Sequence, residues 1–146
     1  MASEGVSRLL GEFDAEKFDP EVVIVDSLRR VLVGSENDAE AVGALWRNVA
    51  PLVAERTLII LHDMKKPNPQ GGNDPRHRAS GSTDLIAGVD VTNAITRKSG
   101  DVLLVECTKA RHMSEPEPFA VSLYDDDADG PIVVRYEGTK EDVAVA

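Results

Sequence analysis

Two short apolar runs, each ending in polar residues, constrain this chain more than anything else in it. The first lies in "VVIVDSLRR", residues 22 to 30, and the second in "TLIILHDMKK", residues 57 to 66. Val22 to Val25 is wholly apolar and β-branched, the pattern of a parallel strand covered on both faces. Between the runs, Val42, Leu45, Trp46, Val49 and Val53 recur at helical spacing, and Asn37 and Glu40 are spaced as a capping box. Pro51 should kink this helix or shorten its last turns, because it removes a backbone donor and crowds the preceding turn. Strand, helix and strand predict a right-handed crossover with both polar tails at the carboxyl edge of a parallel sheet. That edge is where open α/β sheets bind ligands.

On either side of this unit the signals are simpler. The N-terminal segment predicts a short helix with Val6, Leu9 and Leu10 on one side, then a polar loop that Pro20 terminates. Residues 64 to 79 read as a long loop with no element of its own, the kind that is usually functional or disordered. Ser80 to Gly88 can form a short helix. The runs "VDVTNAIT", "DVLLVECTK", "FAVSLYD" and "IVVRYE" then predict antiparallel strands, with "RKSGD" and "DDDADGP" as turns. The expected class is α/β: parallel strands with a crossover helix, extended by C-terminal antiparallel strands. At 146 residues one domain is the default, divided into 1–20 (helix and linker), 21–63 (strand, helix, strand), 64–79 (loop) and 80–146 (helix and antiparallel strands).

Composition sets limits on partners. With 42% apolar residues and no apolar run near the roughly 20 residues of a membrane span, the chain reads as globular, with no membrane partner. It opens without a secretory pattern, so a cytoplasmic location is expected. Cys107 is the only cysteine, which rules out an intrachain disulfide, and its place in "VLLVECT" predicts a small core residue. A net charge of −10 opposes non-specific attraction to polyanions, so nucleic-acid binding needs a local basic patch. The one dense basic cluster is Lys65, Lys66, Arg76 and Arg78 in the 64–79 loop, with His77 beside them; it has no aromatic residue to stack on bases. The aspartate-rich, lysine-poor balance also suits a salt-adapted cytoplasm.

Several residue types could carry chemistry. Asp26, at a strand end, could hold magnesium through water. His62, at the end of the neighbouring strand, could donate a hydrogen bond to a phosphate. Lys109 and Arg111, two residues apart, would face the same side if their strand continues, where cations could reach a phosphate. Singly, each has a plainer reading as an ordinary strand-end polar residue. "DDDADG" places Asp125, Asp127, Asp129 and Gly130 at calcium-loop spacings, but Tyr136 stands where the loop needs its glutamate, so a hairpin turn is expected. A metal phosphohydrolase built on His62 and Asp63 would need more histidines than His77 and His112.

Taken together, "VVIVDSLRR", "TLIILHDMKK", "RASGSTDLIAGVDV" and "TKARHMSEPEPF" resemble the C-terminal half of a RecA-like ATPase core of the RepA and DnaB hexameric helicase kind, from about Glu21 to Leu123. The resemblance implies that Asp26 is the Walker B residue holding magnesium and that His62 senses the γ-phosphate of ATP. Lys109 and Arg111 would match the family's Lys-x-Arg pair, which reaches into the nucleotide of an adjacent ring subunit. The 64–79 loop would face single-stranded DNA in the central channel, through Lys65, Lys66, Arg76 and Arg78.

One departure outweighs these matches. No Gly-Lys dipeptide occurs in the chain, so the P-loop G-x-x-x-x-G-K-[ST] is absent. Its nest of backbone amides, its phosphate-binding lysine and its magnesium-binding hydroxyl are therefore missing. The family's catalytic glutamate lies upstream of Walker B, and Glu4, Glu12, Glu16 and Glu21 stand too close to the strand to supply it. Asp63 stands where relatives often carry a second histidine. Losing the P-loop strand should leave apolar sheet surface exposed unless something covers it. The expectation is a helicase-type ATPase portion that does not hydrolyse ATP alone; the alternative is a non-catalytic module that docks on a P-loop-bearing partner ATPase.

Overall fold

The computed structural model describes residues 2–71, 74–125 and 131–144. The elements run α1 (Ala2–Glu16), β1 (Val22–Val25), α2 (Leu28–Val31), α3 (Ala39–Val53) and β2 (Thr57–Ile60), followed by a single 3₁₀ turn at Pro75–His77. They continue as α4 (Thr83–Ala87), β3 (Val91–Ser99), β4 (Val102–Ala110), β5 (Phe119–Asp125), β6 (Ile132–Thr139) and α5 (Lys140–Ala144). The fold is mixed α/β, with a small parallel sheet followed by a larger antiparallel one. No ladder joins the two sheets among the described residues, so the antiparallel strands form their own sheet instead of extending the first. No helix of the described residues is long and apolar enough to cross a membrane.

The chain divides into two compact units: residues 1–69 with 78–88, and residues 70–77 with 89–146. In the first, β1 and β2 pair in parallel, Val22 opposite Thr57 through Val25 opposite Ile60, as the two apolar runs predict. The core consists of Leu28, Val42, Leu45 and Leu85, with Leu32, Trp46, Val49 and Ile60 packed against it. Burial of each such leucine or valine contributes about 1.5–3 kcal/mol. Leu28 belongs to α2, a single turn with no periodic signal of its own, yet it is 2% exposed.

Several expectations change in detail. The β1–β2 pair is covered on one face only: Val22, Ile24, Ile59 and Leu61 remain exposed. A continuous apolar run reads as doubly covered, but the helices of this unit supply a layer to the Ile60 side alone. α3 is capped by Asp38, whose side chain accepts from the Glu40 amide, one residue after the Asn37 cap expected. Asn37 instead donates its amide to Ser35 Oγ. α3 continues past Pro51 to Val53, and Leu52 takes the core position at that end while Val53 is exposed. Because Pro51 sits in the last turn, the helix ends two residues beyond it.

The second unit is a meander in the order β3-β4-β5-β6, as the four runs predict. Leu104 and Ala120 face one another across β4 and β5, and both are buried along with Ala94. Cys107 is half-buried, not a core residue, and its thiol donates to the Lys109 carbonyl. β5 and β6 pair from Phe119–Thr139 to Asp125–Ile132, which makes a hairpin of the flanks of "DDDADG". Asp127, Asp129 and Gly130 lie outside the described residues. α5 begins at a capping box: the Thr139 amide and hydroxyl donate to Asp142 Oδ2, at 2.7 and 2.8 Å.

Candidate functional site

Parallel pairing brings the two strand-end residues to the same edge of the first unit. Asp26 follows the last residue of β1, and His62 lies two residues beyond the end of β2. The pairing continues past both strands, with the Leu61 amide donating to the Val25 carbonyl and the Leu28 amide to the Leu61 carbonyl, each at 2.9 Å. The Asp26–Ser27 peptide is cis.

The environments of the two residues differ. Asp26 is exposed, and its carboxylate makes no hydrogen bond or ion pair among the described residues. His62 has a side chain only 16% exposed, and its Nε2 lies 2.8 Å from the Ser80 carbonyl oxygen. A carbonyl can only accept, so Nε2 carries the proton. The other ring nitrogen, Nδ1, is buried without a hydrogen-bond partner among the described residues.

Around His62 the chain builds a polar cluster. Ser80 Oγ donates to Glu36 Oε1 at 2.5 Å, and the Ser80 amide donates to the Asp63 carbonyl. Glu36 has a side chain 15% exposed, with its Oε2 3.9 Å from His62 Nε2. The mostly exposed Arg29 guanidinium stands 3.7 Å from Glu36 Oε1. Neither Glu36 nor Ser80 is singled out by sequence reasoning. Glu36 lies in "GSEND", where the capping signal dominates, and Ser80 lies in "RASGSTDL", a segment that marks the resemblance without assigning the hydroxyl a role.

The 64–79 loop is closed at its base by a short antiparallel ladder. Met64 bridges Ala79, and the Lys65 amide donates to the Arg78 carbonyl at 2.7 Å. Arg78 turns its guanidinium back on the Lys65 carbonyl, from Nε and Nη2, so it ties the neck of the loop. Arg76 belongs to the second unit, in the 3₁₀ turn that the sequence did not predict, and pairs with Glu115. The four basic residues are thus divided, with Lys65, Lys66 and Arg78 in the first unit and Arg76 in the second.

Lys109 and Arg111 stand at the end of β4 in the second unit. Lys109 donates its ammonium to the Val89 carbonyl at 2.7 Å, and Arg111 pairs with Asp90 at 3.1 Å. The register with β3 shifts between Thr92 and Asn93, which places the irregularity just before this pair. Both cations therefore have partners within their own chain, and a role in another subunit's site requires exchange of those partners.

These residues fit a nucleotide site in part. A free carboxylate at a strand end suits water-mediated magnesium, and a histidine N–H suits a phosphate oxygen. Among the described residues no group of three or more histidine, cysteine, aspartate or glutamate side chains could hold a metal directly. The chain supplies no P-loop for the phosphates. Comparison with protein-family models finds no match, and comparison with curated proteins likewise finds none.

Proposed function

We propose that the chain carries the C-terminal half of a RecA-like, NTP-dependent DNA helicase or ATPase core, and that it does not hydrolyse ATP alone. The observation that carries this reading is the position of Asp26 and His62 at one end of two adjacent parallel strands. In this reading magnesium, when bound with ATP, neutralises phosphate charge. Asp26 would hold it through water, His62 would present Nε2–H to the terminal phosphate in exchange for the Ser80 carbonyl, and Lys109 and Arg111 would serve the site of a neighbouring ring subunit. Lys65 and Lys66 are the loop residues best suited to a single-stranded DNA backbone, because Arg78 and Arg76 are engaged at the neck and with Glu115.

Purified chain mixed with magnesium and ATP should show no turnover above background. Turnover well above background that disappears in Asp26→Ala would overturn this reading of the missing P-loop.

A second reading, a non-catalytic module that docks on a P-loop-bearing ATPase, is favoured by the open β1–β2 pair. Among the described residues neither strand has a third partner, and Val22, Ile24, Ile59 and Leu61 are exposed. This module would stimulate its partner's ATPase, and Arg111→Ala would remove the stimulation; no stimulation of a cognate partner would count against it.

A further inference from the structure

We propose that Glu36 is a positioning residue of the candidate site: by holding Ser80 it fixes the ring of His62 with Nε2 as the proton-bearing nitrogen. This rests on the reading of His62 as a phosphate donor for its functional meaning, whereas the geometry itself does not depend on that reading.

Glu36 engages the Ser80–Ser82 turn twice. Its carboxylate accepts from Ser80 Oγ at 2.5 Å, and its main-chain carbonyl accepts from the Ser82 amide at 2.6 Å. The turn passes so close that a Cβ on Gly81 would lie 2.7 Å from the Glu36 carbonyl oxygen. Ser80 is thereby anchored at its hydroxyl by Glu36 and at its amide by Asp63, leaving its carbonyl aimed at His62 Nε2. With Nδ1 buried, a ligand of His62 would have to take the Nε2 proton in place of the Ser80 carbonyl. That N–H is donated to the Ser80 carbonyl, with the Glu36 carboxylate 3.9 Å away, so presenting it to an anion requires exchange of this partner, as it does for Lys109 and Arg111. Glu36 lies 44 residues from Ser80 in sequence, so its effect on His62 comes from the tertiary fold.

The test is nitrogen and proton NMR of the 146-residue chain without nucleotide, following the His62 ring and its Nε2 proton. The ring nitrogens should report the Nε2–H tautomer, with a slowly exchanging Nε2 proton. Glu36→Ala and Ser80→Ala should each accelerate its exchange by about 10- to 100-fold, the factor that corresponds to a hydrogen bond to a charged group. Glu36→Gln, which can still accept from Ser80 Oγ, should largely restore protection, and the Glu36→Ala/Ser80→Ala double variant should exceed neither single variant by much. The Ser82 amide, bonded to the main chain of residue 36, should stay protected in Glu36→Ala and so report that the turn remains folded. Should Glu36→Ala unfold the unit, Ser80→Ala and Glu36→Gln still decide the matter. An Nδ1–H tautomer in the unmodified chain, or unchanged exchange in both alanine variants, would overturn the proposal. Normal positioning together with no magnesium-nucleotide binding would instead remove the nucleotide reading and leave Glu36's role intact.

Discussion

Gly81→Ala should destabilise the first unit by about 2–4 kcal/mol. Gly81 has φ +91°, a conformation that costs an L-residue about 1–3 kcal/mol. The added Cβ would also lie 2.7 Å from the Glu36 carbonyl oxygen and 2.9 Å from Leu85 Cδ1. That carbonyl is tied to the Ser82 amide, and withdrawing it weakens a bond worth about 1 kcal/mol. Leu85 is 5% exposed and packed in the core, so it too has little room to move. Gly11→Ala in α1 is the control: apart from its chain neighbours and the helix's own backbone, no atom lies within 4 Å of its added Cβ, and helix propensity predicts stabilisation of about 0.5–1 kcal/mol. Urea unfolding followed by fluorescence of Trp46 reports on this unit, because Trp46 packs on its core and donates Nε1–H to the Asp84 carbonyl. Opposite signs for the two variants are expected. A Gly81→Ala variant within about 0.5 kcal/mol of the parent chain, the range of an ordinary surface substitution, would refute the close approach of Glu36 and the 80–82 turn.

Other substitutions probe the remaining parts. Leu28→Ala, at the best-buried position of α2, should cost about 2–5 kcal/mol in the same urea experiment, although α2 is only one turn long. The Arg111–Asp90 pair, with side chains 45% and 64% exposed, should show a coupling below about 1 kcal/mol in a double-mutant cycle; a larger coupling would mean the pair is structural. The hydroxyl and amide of Thr139 hold the Asp142 carboxyl below the usual carboxylate range. A lowered folded pKa gives stability that is present above the unfolded value and lost as pH falls through the folded one, so α5 should fray only below about pH 4. An NMR titration should find the Asp142 midpoint below that of an unstructured aspartate, and Thr139→Ala should move it upward.

Much of this architecture is legible in the sequence because strand and helix periodicities are local. Val22–Val25 and Thr57–Ile60 are marked by short apolar runs, and β3 to β6 by runs bounded with turn residues. How many layers cover β1 is not a local property, so Val22 and Ile24 read as buried although they are exposed. The same limit applies to the site. Asp26 and His62 stand out because each follows an apolar run, whereas Glu36 meets Ser80 only through the fold. A count of basic residues likewise finds Arg78 but not the Lys65 carbonyl to which it turns. Leu28 escapes periodicity because a single turn has too few residues to show a period.

The most direct test of the partial nucleotide site is an NMR titration of the 146-residue chain with magnesium and ATP, repeated with Asp26→Ala. Since Asp26 is exposed and unbonded, its replacement should change stability by less than about 0.5 kcal/mol and isolate the effect on the ligand. The account predicts weak, magnesium-dependent shifts centred on Asp26, Ser27 and His62 that vanish in the variant. Shifts elsewhere, shifts that persist in Asp26→Ala, or none at millimolar nucleotide would contradict it.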